Sequence, residues 1–369
     1  MREGWEYKKY QWSEILTIIN GKNQSAVVND NGEYPIYGSG GIMGYADDYL
    51  CPEECVIIGR KGNINKPLFV TTKFWNVDTA FGLNADRKHL LPKYLFYFCL
   101  DYNFEQHNKA VTIPSLTKAD LLKIGISLPS IEHQLAIVSE LDKINELIRL
   151  KKEQLIEYDN LAQSIFYDMF GDPVENEKGW EVKKLIDVCT KITDGTHDTP
   201  QRLTEGVKFI TGKHIRPGYI DYMNSDYVTE QVHKEIYARC NPEFGDVLYT
   251  NIGANLANAA INTVHYEFSM KNVALLKLRK DVIHGMLLQF YLNNPRIREK
   301  ILENYSNGGA QKFLSLKSIA LIKTILPPLP LQQSFASRIE QIEKLKSEVQ
   351  NAITDLETLL ASRMQYWFE

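Results

Sequence analysis

The sequence predicts a mixed α/β (α+β) chain in which two similar globular domains in tandem alternate with two long helices. The helices are expected to pair as an antiparallel coiled coil, giving a pseudo-twofold internal repeat. Three observations carry this. The run Gly4, Trp5, Glu6, Tyr7, Lys8, Lys9 returns as Gly179, Trp180, Glu181, Val182, Lys183, Lys184. The run Leu128, Pro129, Ser130, Ile131, followed by Gln134, returns as Leu326, Pro327, Pro328, Leu329, followed by Gln332. Each closing run leads directly into a long heptad pattern. From Trp5 to Trp180 is 175 residues and from Pro129 to Pro327 is 198, so the second globular domain is longer by 23. The boundaries are 1–128 and 172–326 for the domains, and 129–171 and 327–369 for the helices that follow them.

In the first domain, residues 55–58 and 68–71 read as strands and 92–100 as a helix headed by Pro92. Two loops stand out. The segment from Tyr37 to Tyr45 carries Gly38, Gly40, Gly41 and Gly44 around Ser39, a composition that lets a backbone approach closely. After the strand at 55–58 come Gly59, Arg60, Lys61 and Gly62, adjacent cations suited to a phosphate or a base edge. A third segment, 109–115, contains Thr112.

The first helix places Ile137, Leu141, Ile144, Ile148 and Leu155 on one seam, continued by Tyr158, Ala162, Ile165 and Met169 and broken at Lys151. Gly171, Asp172 and Pro173 then form a stop signal. In the second domain, 208–211, 246–250 and 273–278 read as strands, and 285–292 and 295–304 as helices. Its loops include 193–198 with Thr196 and His197, 211–218 with Lys213, 250–255 with Asn251, and 307–312 with Lys312. Gly, Asn, Thr, His, Lys and Arg in such loops make turns, and they are also the side chains that meet bases and phosphates. The second helix repeats the seam with Phe335, Ile339, Ile342, Val349, Ile353 and Leu356, broken at Lys346 and Arg363. Both seams fit helices packed on each other better than helices packed only on their own domains. Phe170 leads by a short linker into Trp180, so the repeat places Phe368 near Trp5.

Composition narrows the function classes. The net charge is −4, distributed as 14 basic against 14 acidic residues in 1–128, 4 against 8 in 129–171, 20 against 18 in 172–326 and 4 against 6 in 327–369. Acidic helices avoid DNA, so any DNA contact falls to the domains. No apolar run is long enough for a membrane span, and the first residues lack the apolar stretch of a signal peptide. The five cysteines form no metal-type spacing and read as reduced thiols of a cytoplasmic protein. Catalytic readings fail: Lys213 is followed by His214 where a phosphate loop needs Ser or Thr. Asn241, Pro242, Glu243 and Phe244 lack the second proline of an adenine-methyltransferase tetrapeptide. Asp172, Glu175 and Lys178 sit in a linker where charges are solvated. His197 and His214 read as isolated surface-loop histidines.

With these motifs in view, the whole chain resembles the specificity subunit of type I restriction–modification systems. The resemblance rests on the repeated openings and closings and on the runs 115–131 and 315–329 that lead into each helix. It implies two target-recognition domains, each reading one half of an asymmetric bipartite DNA target. It implies spacer helices that set the gap and dock the methyltransferase subunits, two of them, beside restriction/translocase subunits. It implies no catalysis and no cofactor in this chain, with S-adenosylmethionine, ATP and Mg used by the partners. The residues expected to face DNA are Ser39, Arg60, Lys61 and Thr112 in the first domain, and Thr196, His197, Lys213, Asn251 and Lys312 in the second. The seam residues named above are expected to serve coiled-coil pairing and partner docking. A coiled-coil adaptor that binds no DNA is the competing reading; it would show no salt-dependent DNA binding.

Overall fold

The computed structural model describes residues 4–108, 113–308 and 312–368. The chain divides into two compact units, Met1–Gln154 with Val349–Glu369, and Leu155–Glu348. The long helices are thus shared: each unit takes part of both.

The first unit contains β1 (Lys8–Gln11), α1 (Trp12–Ile15), β2 (Leu16–Asn20), β3 (Tyr34–Gly38) and β4 (Gly41–Ala46). There follow β5 (Cys55–Gly59), β6 (Leu68–Val70), β7 (Trp75–Asn76), β8 (Ala80–Ala85), α2 (Pro92–Asp101), α3 (Lys118–Leu121), β9 (Gly125–Leu128) and the start of α4 (Ile131–Phe170). Its main sheet is antiparallel in the order β2-β8-β5-β6, and β5 is buried along its whole length, as an apolar β-branched run between two neighbours should be. A second sheet, β4-β3-β7, contains one parallel pair, β3 with β7. β1 pairs antiparallel with β9, joining the repeated opening to the repeated closing.

The second unit contains the rest of α4, then β10 (Glu181–Lys184), α5 (Leu185–Val188), β11 (Cys189–Asp194), β12 (Val207–Thr211), β13 (Ile215–Arg216), β14 (Tyr219–Ile220) and β15 (Asp226–Val228). It continues with α6 (Glu230–Arg239), β16 (Val247–Tyr249), β17 (Ala259–Ile261), β18 (Ser269–Lys271) and β19 (Ala274–Leu278). It closes with α7 (Gly285–Asn293), α8 (Pro295–Tyr305), α9 (Leu316–Leu321), β20 (Lys323–Leu326) and the first part of α10 (Leu329–Phe368). The sheets repeat those of the first unit: β11-β19-β16-β17 antiparallel, β15-β12-β18 with a parallel β12–β18 pair, and β10 with β20. The β13–β14 hairpin and α6, which lie between β12 and β16, have no counterpart between β3 and β5, and account for most of the extra length.

Local signals explain the helices. Thr117 caps α3 and Ser315, 198 residues on, caps α9, each hydroxyl accepting from the amide three residues ahead. Asn294 caps α8 ahead of Pro295. Gly171, at φ +77°, ends α4 with its amide bonded to the Tyr167 carbonyl.

The repeated glutamine has a defined task. Gln134 and Gln332 are fully buried. Gln134 accepts from the Leu91 amide and donates to the carbonyls of His89 and Pro129. Gln332 accepts from the His284 amide and donates to those of Val282 and Pro327. Each locks the first turn of a long helix to the loop that starts α2 or α7.

Helix packing goes beyond the expected seam. In the first unit, Ile137, Val138 and Leu141 of α4 join Met364 and Trp367 of α10, and both groups pack into the domain core around Trp12, Tyr94, Leu95 and Phe104. In the second, Phe166 and Phe170 of α4 meet Phe335 of α10 against Leu287, Leu288 and Tyr291. The partner order, Glu140 with Arg363 and Lys152 with Glu357, is antiparallel. The same holds in the second unit for Asp159 with Lys346 and Phe166 with Phe335. The helices therefore pack both on each other and on the domains. The expected nearness of Phe368 to Trp5 is seen as Trp5 stacked on Trp367 at 5.3 Å, mirrored by the Trp180 indole donating to the Phe170 carbonyl.

Candidate nucleic-acid interface

In each unit the strand that opens the main sheet leaves it through a glycine, and a candidate loop begins there. After β2, Gly21 sits so tightly that a Cβ would lie 1.8 Å from the Val77 carbonyl oxygen; after β11, a Cβ on Gly195 would lie 2.1 Å from that of Met270. The next residues, Lys22 and Thr196, donate their amides to Asn76 and Met270 of the parallel strands β7 and β18. Lys22 is exposed and occupies the place in the first unit that Thr196 holds in the second. Sequence reasoning missed Lys22. The signal was there: Gly21 and Gly195 are 174 apart, one short of the offset of the openings.

The first unit brings three of its candidate segments together. Ser39 is half-buried in the tight turn of the β3–β4 hairpin, where Gly38 pairs with Gly41. Lys61 is exposed and bridges to Ser115, while the Gly62 amide bonds to the Pro114 carbonyl. Arg60 is less free than expected: its guanidinium reaches the Asp78 carbonyl at 3.4 Å and lies 5.8 Å from the centre of the Phe81 ring. Thr112 lies outside the described residues.

The second unit gathers its loops more closely. Thr196 bridges to Lys271, and His197 follows it with both ring nitrogens engaged: Nε2 lies 3.0 Å from Asp194 and Nδ1 3.0 Å from Asn272. Asp194 is buried and also holds Arg239. Lys213 is exposed at the end of β12, next to a cavity of about 380 Å³ lined by Arg202, Lys271, Asn255 and Asn272. Ile252 bridges to Phe313, setting the exposed Lys312 beside the 252–255 loop. The equivalence of the units is visible here: Leu116 donates its amide to the Arg60 carbonyl, and Leu314 does the same to Asn251.

Several expectations need correction. Asn251 is buried, with 8% exposure and no hydrogen bond to its Oδ1, because its backbone is tied to Leu314; it supports the loop from beneath. His214 is a core residue: its Nδ1 accepts from the Thr211 amide, so Nε2 carries the proton donated to the Asn224 carbonyl. Burial, with the Lys213 charge beside it, lowers its pKa. His197 is exposed but not isolated. Asp172 and Glu175 are not merely solvated, since both hold Arg296, and Lys178 donates to the Asp168 carbonyl. The seam residues Ile137, Leu141, Ile144, Ile148, Phe335, Ile339, Ile342, Val349 and Ile353 are buried, with Leu155 and Leu356 half-buried, leaving little of them for a partner. The exposed apolar residues of the helices are others, among them Leu147, Leu150, Ile156, Leu161, Leu345 and Leu359.

The profile of the family described as the type I restriction modification DNA specificity domain matches residues 3–158 and 177–357, once for each repeat. The chain belongs to that family. Among specificity subunits similar to it is the type I restriction enzyme MjaIX specificity subunit of Methanocaldococcus jannaschii, 26% identical over 308 residues, covering 77% of this chain and 68% of the relative. The type I restriction enzyme EcoDI specificity subunit of Escherichia coli is 20% identical over 404 residues, covering 97% and 86%. In fold the chain is similar to the crystal structure of the type I restriction–modification S subunit from M. genitalium, with a TM-score of 0.63, 15% identity and coverage of 99% and 96%. As a type I specificity chain it recognises a DNA target and is not the catalytic subunit. No helix among the described residues is long and apolar enough to cross a membrane.

Proposed function

We propose that the chain reads an asymmetric two-part DNA sequence, domain 1–128 taking one half-site and domain 172–326 the other. The helices 129–171 and 327–369 set the unspecified gap. The observation that supports this most is the repetition of one scaffold with two unlike loop sets: a Gly-rich hairpin and Arg60–Lys61 in one unit, Thr196–His197 and Lys213 in the other. Matched scaffolds with different side chains at equivalent points suit two different half-sites on one duplex. Ser39, Arg60, Lys61, Thr112, Thr196, His197, Lys213 and Lys312, joined by Lys22, are the residues that would face DNA, with Asn251 beneath. Methyltransferase subunits, two in number, would dock on exposed helix side chains such as Leu147, Ile156 and Leu359, and restriction/translocase subunits would join them. S-adenosylmethionine, ATP and Mg would be held by those partners, in the cytoplasm.

The test is a methylome comparison of cells with and without this gene beside its modification partner. Loss of one two-part adenine motif on deletion is the expected result, and an unchanged methylome with an active partner sinks the reading. A Lys61→Ala variant is expected to weaken binding evenly across sequences and to reduce the salt slope by about 1.

A further inference from the structure

The 380 Å³ cavity of the second unit is lined by three cationic side chains, Arg202, Lys213 and Lys271, and by no acidic one. One carboxylate outside the lining meets two of them. Asp226, on β15, places its buried Oδ2 3.0 Å from Arg202 Nη1 and 3.1 Å from Lys213 Nζ. Neither contact has the alignment of a hydrogen bond, so charge alone holds these two cations. Lys271 rests on the hydroxyl of Thr199. Three positive charges against one carboxylate leave an excess of about two beside the cavity.

We propose that this cavity is a phosphate site, that its ligand is one backbone phosphodiester of the bound DNA, and that Asp226 is a built-in counter-ion which the phosphate replaces. The proposal rests on the reading that the second unit faces DNA. A guanidinium fork and two ammonium groups around a cavity, with only neutral Thr, Asn, Gly and apolar residues between them, match a tetrahedral dianion or a diester. Asp226 gives the site its selectivity. It is fixed in strand pairing with Phe209 of β12, so the cations move and the carboxylate does not. Without DNA, Asp226 keeps Arg202 and Lys213 from repelling each other and from holding any passing phosphate. A duplex gains the site only when base contacts elsewhere hold one phosphate in register long enough to draw both cations off the carboxylate. Asp226 is therefore a specificity-determining residue that touches no base.

The test uses the full chain assembled with its modification subunits, a duplex carrying the target read from the methylome, and an unrelated duplex, each titrated over a salt series. Asp226→Asn is expected to raise affinity for the unrelated duplex roughly three- to tenfold and for the target much less, so the specificity ratio falls. Equal changes on both duplexes overturn the role of Asp226. A scan with single methylphosphonates, which neutralise one phosphate at a time, locates the site. One position is expected to cost wild type about as much as Lys271→Ala does, with no further loss when the two are combined; additive losses at every position overturn the phosphate assignment. Inorganic phosphate at matched ionic strength separates the sources. Competition that depends on Lys271, with no coupled methylphosphonate position, identifies a free-anion pocket and overturns the DNA ligand. If Asp226→Asn melts before wild type, the Lys271→Ala arm, a change at a half-buried lysine at the end of β18 whose melting is followed beside wild type, decides the case. A methylome that assigns this unit no half-site removes the DNA reading itself, whatever the scan shows.

Discussion

At the scale of single residues, the clearest link from sequence to structure is the glutamine five positions after each closing proline. In the second unit its side-chain amide bonds three backbone groups, the buried Pro327 carbonyl and the half-buried His284 amide and Val282 carbonyl. Gln332→Ala is expected to cost about 2–3 kcal/mol in the second unit, read by chemical denaturation, because three backbone groups lose their bonds and the Pro327 carbonyl stays buried. His214 gives a pH signature. In the unfolded chain its imidazole takes up a proton as pH falls through about 6.5, whereas in the fold burial and Lys213 keep it neutral further down. The unfolded state therefore binds the extra proton, and the second unit loses stability as pH falls below that value. His284, also lowered by burial, acts in the same direction. The difference in melting temperature between wild type and His214→Gln, followed from pH 7.5 to 5.5, isolates the His214 share and is expected to shrink as pH falls.

At the scale of elements, the glycine exits from β2 and β11 let one strand feed two sheets. Gly195→Ala must push β18 away or distort β11, so a loss of about 1–3 kcal/mol is expected, together with weaker target binding because Thr196 moves. A variant with wild-type stability and binding contradicts this account. The elements also separate what was legible from what was not. The two long helices, α2, α7 and α8, and the buried strands β5, β16 and β19 stood in the sequence because period, proline and short apolar runs are local signals, whereas α6 and the caps Thr117, Asn294 and Ser315 went unread. The parallel pairs β3–β7 and β12–β18 did not, since β7 has two residues and its partner lies far along the chain. The candidate site suffered the same way. Lys213 was readable as a loop cation, but Arg202, Asp226 and Lys271 meet it only through β12, whose neighbours are β15 and β18. Within the helices, the polar breaks in the seams have partners. Lys346 pairs with Asp159, and Arg363 pairs with Glu140 and lies over the Trp367 ring, so the breaks fix register where an apolar residue would allow slippage.

At the scale of the whole molecule, the first unit is assembled from both ends of the described chain, and the second is continuous. Trp367 is 6% exposed in the core of the first unit, with its indole 3.1 Å from Glu140. Trp367→Ala is expected to cost about 3–5 kcal/mol, with hydrogen-exchange protection lost in 1–154 and kept in 155–348. Equal loss in both units would contradict the division. The same division sets an order of events during synthesis. Everything the second unit contains has been translated once residue 348 is added. The first unit, begun much earlier, still waits for Met364, Trp367 and Phe368. Its core, around Trp12, Tyr94 and Phe98, is closed by these residues, so the domain translated first is completed only by side chains translated after the whole of the second unit.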